Sequence, residues 1–328
     1  MSISKVLIAG VGTMGQQIGW QCALHGFDVV MFNLRQPSLD TCRKAQREFA
    51  DLFHREKGQS SDAVAAALAR ISYTTDLAKA GADADIVSES IIEDPDAKHS
   101  IYKALNECCP AKTIFTTNSS TLLPSQIAAS TGRPEKFMAL HFVVGVWEAN
   151  VAEVMAHPGT TAETVDTVVA FAKAIGMVPI HIGREQSGYI VNSLLIPWAV
   201  AAQSLVTNGV ATPQDIDKTW MITTQMRMGP FGLMDAVGLG TVTTIFKALS
   251  AQSGDDLARR NAAYLEDNFV LRGKLGVKSG EGYYSYPEPD YQRPDFLSLP
   301  TPEAWCGVLA AGARRPRASL CARSERSR

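Results

Sequence analysis

The stretch from Lys5 to Asn33 constrains this chain more than any other. Val6-Leu7-Ile8-Ala9 is continuously apolar, as a strand buried on both faces of a parallel sheet requires. Gly10-Val11-Gly12-Thr13-Met14-Gly15 follows at once with the spacing G-x-G-x-x-G. Met14, Ile18 and Cys22 then recur at helical spacing, Gly26 stands where a helix would stop, and Asp28–Phe32 reads as a second strand. In a strand–turn–helix the first glycine permits the tight turn. The second lets backbone N–H groups approach a pyrophosphate, and the third lets helix and strand pack closely. The helix N-terminus adds unpaired N–H groups and a partial positive charge. A lone G-x-G-x-x-G is weak evidence. With a strand before it, a helix after it and a second strand at the right distance, it predicts a dinucleotide site.

Strand–helix alternation continues. Ser38–Phe53 and Ser61–Arg70 carry helical patterns, and Ile71–Thr74 is a short strand. Asp85–Val87, Thr113–Thr116 and Phe137–His141 are apolar strand segments separated by helix-like stretches at Ala97–Cys108 and Pro124–Ala129. Val151–Met155 and Val178–Ile182, with a helix Ala162–Ile175 between them, extend the series. The pattern predicts an α/β doubly wound sheet of the Rossmann type. Beyond Arg184-Glu185-Gln186 strands largely vanish. Tyr189–Val206 reads as a helix bent at Pro197, Thr212-Pro213-Gln214-Asp215 is a helix start, and Val242–Leu249 and Leu257–Asn268 look helical. The expected organisation is a dinucleotide-binding domain over residues 1–185 and an all-α C-terminal domain over 186–297. A disordered tail, rich in arginine, is expected over 298–328.

Composition narrows the function classes. Of 328 residues 46% are hydrophobic and 20% charged, ordinary for a globular chain with a sizeable core. A formal net charge of −2 gives no global reason to expect nucleic acid or an anionic membrane as partner. No apolar run reaches the roughly 18 residues of a membrane span. The six cysteines form no C-x-x-C pair, so neither a disulfide framework nor a metal site is expected. A first strand starting by residue 5, read as leaving no room for a leader, makes the expected compartment the cytoplasm.

Five polar features outside the glycine loop are candidates for chemistry, and the first two lie at the carboxyl edge, where open α/β sheets bind ligands. Glu93 and Lys98 follow the strand Asp85–Val87, and their spacing alone reads as a solvated charge pair. Asn118-Ser119-Ser120 follows Thr113–Thr116, as turn formers or ligand contacts. His141 closes an apolar run, and Glu153 lies in the next one. A carboxylate beside an imidazole fixes its tautomer and stabilises its protonated form, which suits a general base, although a single histidine at a strand end is more often structural. Asn192, in an otherwise apolar helix, needs a partner if buried or contacts a ligand.

Together these features resemble the L-3-hydroxyacyl-CoA dehydrogenase family over residues 5 to about 297. The motifs that carry the resemblance are Gly10-x-Gly12-x-Met14-Gly15, Glu89-Ser-Ile-Ile-Glu93, Asn118-Ser119-Ser120-Thr121-Leu122, Leu140-His141-Phe142, Glu153 and Gly188-Tyr-Ile-Val-Asn192. The runs Met228–Asp235 and Gly273–Tyr284 add to them. The resemblance implies an NAD- or NADP-dependent dehydrogenase of fatty acid metabolism that interconverts an L-3-hydroxyacyl-CoA and its 3-oxo form. His141 would act as acid/base and Glu153 as its orienting partner, with Ser120 and Asn192 on the reacting oxygen. Gly10, Gly12, Met14 and Gly15 would hold the pyrophosphate, and Glu93, Lys98 and Ser120 the nicotinamide half. A homodimer built through the helical domain is also implied.

Three departures bear on specificity. Asn33 stands where the family has an aspartate for the adenosine ribose, and with Arg35 nearby it opens the site to a 2′-phosphate. The family's His-Phe-Phe-Asn-Pro is here His141-Phe142-Val143-Val144-Gly145, so the amide that would meet the thioester carbonyl is a valine. The arginine-rich tail has no counterpart in the resemblance. The alternatives are therefore a dehydrogenase of a free hydroxy acid or ketone, as in gulonate and carnitine dehydrogenases, and a non-catalytic dinucleotide-binding protein.

Overall fold

The computed structural model describes residues 3–298; the arginine-rich segment lies outside them. The chain divides at Ile196/Pro197 into two compact units. The first alternates strands β1 (Lys5–Ala9), β2 (Asp28–Phe32), β3 (Ile71–Thr74), β4 (Ile86–Glu89), β5 (Ile114–Thr117), β6 (Phe137–Phe142), β7 (Val151–Met155) and β8 (Val178–Ile182) with helices. These helices are α1 (Thr13–Leu24), α2 (Gln36–Glu56), α3 (Ser61–Ala69), α4 (Leu77–Gly81), α5 (Pro95–Cys108), α6 (Pro124–Ile127) and α7 (Ala162–Ala174). One sheet holds all eight strands in the order β3-β2-β1-β4-β5-β6-β7-β8. Every neighbouring pair is parallel except β6–β7.

The apolar runs explain the layering. Val6 and Ile8 of β1 join one core with residues of α1, α2 and α7, while Leu7 and Ala9 join another with residues of α4 and α5. A strand whose alternate side chains enter two cores has no polar face, hence the continuous run. The predicted doubly wound sheet is thus present, with β4 running Ile86–Glu89, a little beyond the expected segment. The five-residue helix α4 was too short to leave a periodic signal.

Helix α8 (Val191–Thr207) contains both Pro197 and the point of division. The second unit continues with α9 (Pro213–Thr224), α10 (Pro230–Val237), α11 (Leu239–Ser253) and α12 (Asp256–Asn268). Its helical character is as expected, while the division falls at Pro197 and the sequence places the boundary at 185/186. Thr212 caps α9, its hydroxyl accepting the Asp215 N–H at 3.1 Å. The sequence pattern does not mark α10 as a helix, because it opens Pro-Phe-Gly and is too short and glycine-broken for periodicity. The helix expected from Tyr189 begins at Val191 instead. Tyr189 has φ +51°, a left-handed conformation that a helix interior excludes. Among the described residues no single helix is long and apolar enough to cross a membrane, and Cys22, Cys42, Cys108 and Cys109 are free thiols.

Candidate active site

Strand register assembles the site at one edge. Ala9, Glu89 and Thr117 lie in one row across β1, β4 and β5, and Thr117 pairs with Ala139 on β6. Gly10, Ser90 and Asn118 leave the sheet together, their N–H groups still donating to Phe32, Ala9 and Glu89 carbonyls at 2.7–2.9 Å. Gly10 has φ +101°, and a Cβ there would stand 2.5 Å from the Ser90 carbonyl oxygen. A Cβ on Gly15 would collide with the Gly10 carbonyl. Gly12 faces open space instead. It caps α1 without any side-chain hydrogen bond, and the first turn of that helix carries no acid. An anion-binding N-terminus with nothing of its own to satisfy it is what a dinucleotide's pyrophosphate requires. Met14 is half-buried against the core. Beyond β2, Asn33 Oδ1 accepts the Arg35 N–H at 3.0 Å, and the Arg35 side chain is exposed.

Glu93 and Lys98 do not form the solvated pair their spacing suggests. Lys98 is 1% exposed and donates to Glu89 Oε1 at 2.6 Å, with Glu93 Oε2 at 3.4 Å. A buried ammonium needs a buried counter-charge, and Glu89 supplies it from the end of β4. Glu89 also accepts from the Ile91 N–H, Thr117 Oγ1 and Tyr102 OH. The signal for this was an acid ending an apolar strand. Glu93 accepts from Ser119 Oγ (2.5 Å), the Thr121 N–H (2.9 Å) and Thr121 Oγ1 (2.8 Å). Partial burial works against its charge, yet these donors and Lys98 outweigh it and hold the carboxyl below the usual carboxylate range.

His141 and Glu153 are register partners across the antiparallel β6–β7 pair. Cross-strand neighbours on one face meet directly, and His141 Nδ1 lies 2.9 Å from Glu153 Oε2. Glu153 is fully buried, and its other oxygen accepts the Ile190 and Val191 N–H groups at 2.8 and 2.9 Å, at the start of α8. Burial pushes its pKa up, but the imidazole and the two amides outweigh that and leave it lowered. An ionised Glu153 can only accept, so Nδ1 carries the proton and donates it in the hydrogen bond, and neutral His141 presents a lone pair at Nε2. That nitrogen lies 3.2 Å from Ser120 Oγ.

Tyr189, which carried no assigned role in the sequence, holds the imidazole from its face. Its ring stacks on His141 at 4.4 Å and 12°, and its hydroxyl donates to the Ser119 carbonyl at 2.8 Å. That contact explains how a tyrosine is kept at positive φ. The clue was its place beside Gly188, directly before a helix. Asn118 is likewise structural here, its Oδ1 accepting the Phe142 N–H at 2.8 Å. Asn192 is half-buried beside Val191, and its side chain makes no hydrogen bond among the described residues. Val144 is 51% exposed in the loop leaving β6.

Comparison with known proteins places the chain in a family. Residues 5–186 match the family model for the 3-hydroxyacyl-CoA dehydrogenase NAD binding domain, and residues 188–286 that for its C-terminal domain. A probable 3-hydroxybutyryl-CoA dehydrogenase of Deinococcus radiodurans is 34% identical, over 86% of this chain and 100% of its own. Among solved structures, a diketoreductase acting on dicarbonyl compounds is 45% identical with a TM-score of 0.79, covering 87% of this chain and 100% of its own. The (S)-3-hydroxybutyryl-CoA dehydrogenase of Ralstonia eutropha is 30% identical with a TM-score of 0.76, covering 88% and 100%.

Proposed function

The chain belongs to the 3-hydroxyacyl-CoA dehydrogenase family, and from that premise we propose that it interconverts a 3-hydroxyacyl-CoA and the 3-oxoacyl-CoA, with His141 as acid/base. The carrying observation is His141, tied to a buried, ionised Glu153 at one nitrogen and to Ser120 at the other. The glycine turn and uncapped α1 fit a nicotinamide dinucleotide: Gly10, Gly12, Met14 and Gly15 would hold its pyrophosphate, and Glu93 and Ser120 its nicotinamide half, with Lys98, buried against Glu89 and Glu93, fixing Glu93 from behind. When bound, the nicotinamide supplies the two-electron acceptor or donor for the carbon that bears the hydroxyl.

The protein's own work is the proton and the geometry. In the oxidative direction His141 Nε2 takes the hydroxyl proton, and Glu153 stabilises the imidazolium so formed. Ser120 Oγ donates to the oxygen as it becomes a carbonyl, and Asn192 offers its unengaged amide to the substrate. Run in reverse, the imidazolium returns the proton. Tyr189 and the α8 amides keep the ring and carboxylate fixed while charge appears and disappears, so little reorganisation accompanies the transfer.

Asn33 with Arg35 supports use of NADP at least comparable with NAD, because no carboxylate repels a 2′-phosphate. A kcat/KM ratio favouring NAD by about a hundredfold, some 2.7 kcal/mol, contradicts this. Exposed Leu205, Ile222, Met226 and Val237 support self-association of the helical unit, read by light scattering.

One second reading has specific support. Val144 offers only apolar surface, and the diketoreductase is the more similar of the solved relatives described above. Both favour a dicarbonyl compound not carried on CoA. Reduction of acetoacetyl-CoA and of free diketones by the native protein and by Val144→Asn separates the two. If CoA thioesters are the substrates, native activity is measurable and the amide raises it a fewfold, the worth of about one hydrogen bond. If both proteins reduce only free dicarbonyls, the second reading holds.

A further inference from the structure

The loop that leaves the catalytic strand is held by a side chain from another helix. Gln17, in α1, accepts two successive backbone N–H groups on one oxygen: Gly145 at 2.9 Å and Val146 at 3.1 Å to Oε1. An amide oxygen has two lone pairs, so both donors are satisfied at once. Gly145 has φ +81°. The proline of the family motif, at this position, has φ fixed near −65° and no N–H to donate. A proline therefore cannot occupy the loop as built here, on either ground.

The remaining anchors lie on both sides. Asn118 Oδ1 accepts the Phe142 N–H at the strand end. Val146 is fully buried in the core, and the Trp147 ring packs edge-on against Phe49 and Phe53 of α2 at 5.0 and 5.2 Å. Between these anchors the Gly145 carbonyl accepts the Glu148 and Ala149 N–H groups at 2.9 and 2.7 Å, and Gln17 supplies the side-chain restraint on the backbone around Val144. His141 is the penultimate residue of β6, so this loop continues directly from the strand end that carries the imidazole.

We propose that Gln17 is a positioning residue for the keto substrate, and that Gln17 with Gly145 forms a single device that does here what a rigid proline does elsewhere. It rests on the reading of His141 as the site of ketone–alcohol exchange. Gln17 sets the height of the apolar wall around Val144 and so governs KM for the ketone more than the chemical step. It also joins the helix that receives the pyrophosphate to the loop that borders the substrate.

Three proteins test this: native, Gln17→Leu, which keeps size but has no acceptor, and Gln17→Glu, which keeps two acceptor sites. The readouts are KM and kcat for the ketone, the Kd of NADH by fluorescence quenching, and amide hydrogen exchange over residues 142–149. The expected result for Gln17→Leu is a KM about tenfold higher with kcat within about threefold, an NADH Kd within about twofold, and faster exchange at Gly145 and Val146; Gln17→Glu restores all of these. Unchanged KM and exchange in Gln17→Leu overturn the proposal, as does a Gln17→Glu protein no better than Gln17→Leu. Failure of the native protein to turn over any ketone sinks the underlying reading of His141 instead. Exchange at Gly145 and Val146 then still decides whether Gln17 holds the loop.

Discussion

Glu153 in the first unit and Asp217 in the second are built alike and behave oppositely. Both carboxylates are fully buried, and both accept two successive backbone N–H groups. For Asp217 these come from Phe231 at 2.8 Å and Gly232 at 3.0 Å, at the start of α10. Each also takes one side-chain donor, His141 Nδ1 for Glu153 and Tyr284 OH for Asp217. Yet Glu153 is lowered and Asp217 raised from the ordinary carboxylate value. Burial raises both; for Glu153 the imidazole and the two amides outweigh it, whereas for Asp217 two amides and a phenol do not. Asp235 repeats the second pattern, accepting from the Tyr283 and Tyr284 N–H groups and Tyr286 OH, and it too is raised, by burial and by Asp217 nearby. A clasped acid with a chargeable partner is arranged for proton chemistry. A clasped acid with phenols ties chain segments together.

The largest expected effect comes from the proton carrier itself. His141→Ala should lose about 10²–10⁴-fold in kcat while binding NADH as before, the usual worth of a positioned acid/base group. Near-native turnover in a folded His141→Ala protein breaks the comparison at its first term. Asp217→Ala should do the reverse. It strands two buried N–H groups and a phenol, so unfolding free energy should fall by about 3 kcal/mol or more in urea titrations, with turnover of the folded fraction retained.

The two kinds of acid should also respond to pH with opposite sign. Glu153 has a lowered folded pKa, so its stabilisation is present above the ordinary carboxylate range and is lost as pH falls through the folded value. Asp217 has a raised folded pKa, so its contribution is full below the ordinary value and is lost as pH rises through the folded one. The stability of native protein relative to Asp217→Asn should therefore improve on acidification, whereas that relative to Glu153→Gln should worsen. Parallel pH profiles would remove the distinction.

How far the sequence discloses this depends on distance along the chain. The strands of the sheet were legible because burial on both faces makes them unbroken apolar runs, and β2, β3, β7 and β8 have the expected bounds. His141 and Glu153 were legible as an imidazole and a carboxylate on adjacent strands. Lys98 is hard to place from spacing because Glu93 lies only five positions away, whereas the counter-charge that allows its burial ends β4. Asp217 was invisible, since Gly232 and Tyr284 meet it only through the tertiary fold. Gln17 is hidden in the same way: no local pattern announces an acceptor whose donors are Gly145 and Val146.

The central claim is that Glu153 serves the imidazole and not merely the fold. Glu153→Gln isolates it, since a glutamine oxygen can still accept from Ile190 and Val191 while its NH₂ group donates to His141 Nδ1. That donation forces the proton onto Nε2, where the base should be vacant. Measured as kcat at neutral pH on protein that binds NADH normally, the account predicts a loss of about a hundredfold or more. A Glu153→Gln enzyme within about threefold of native would contradict it.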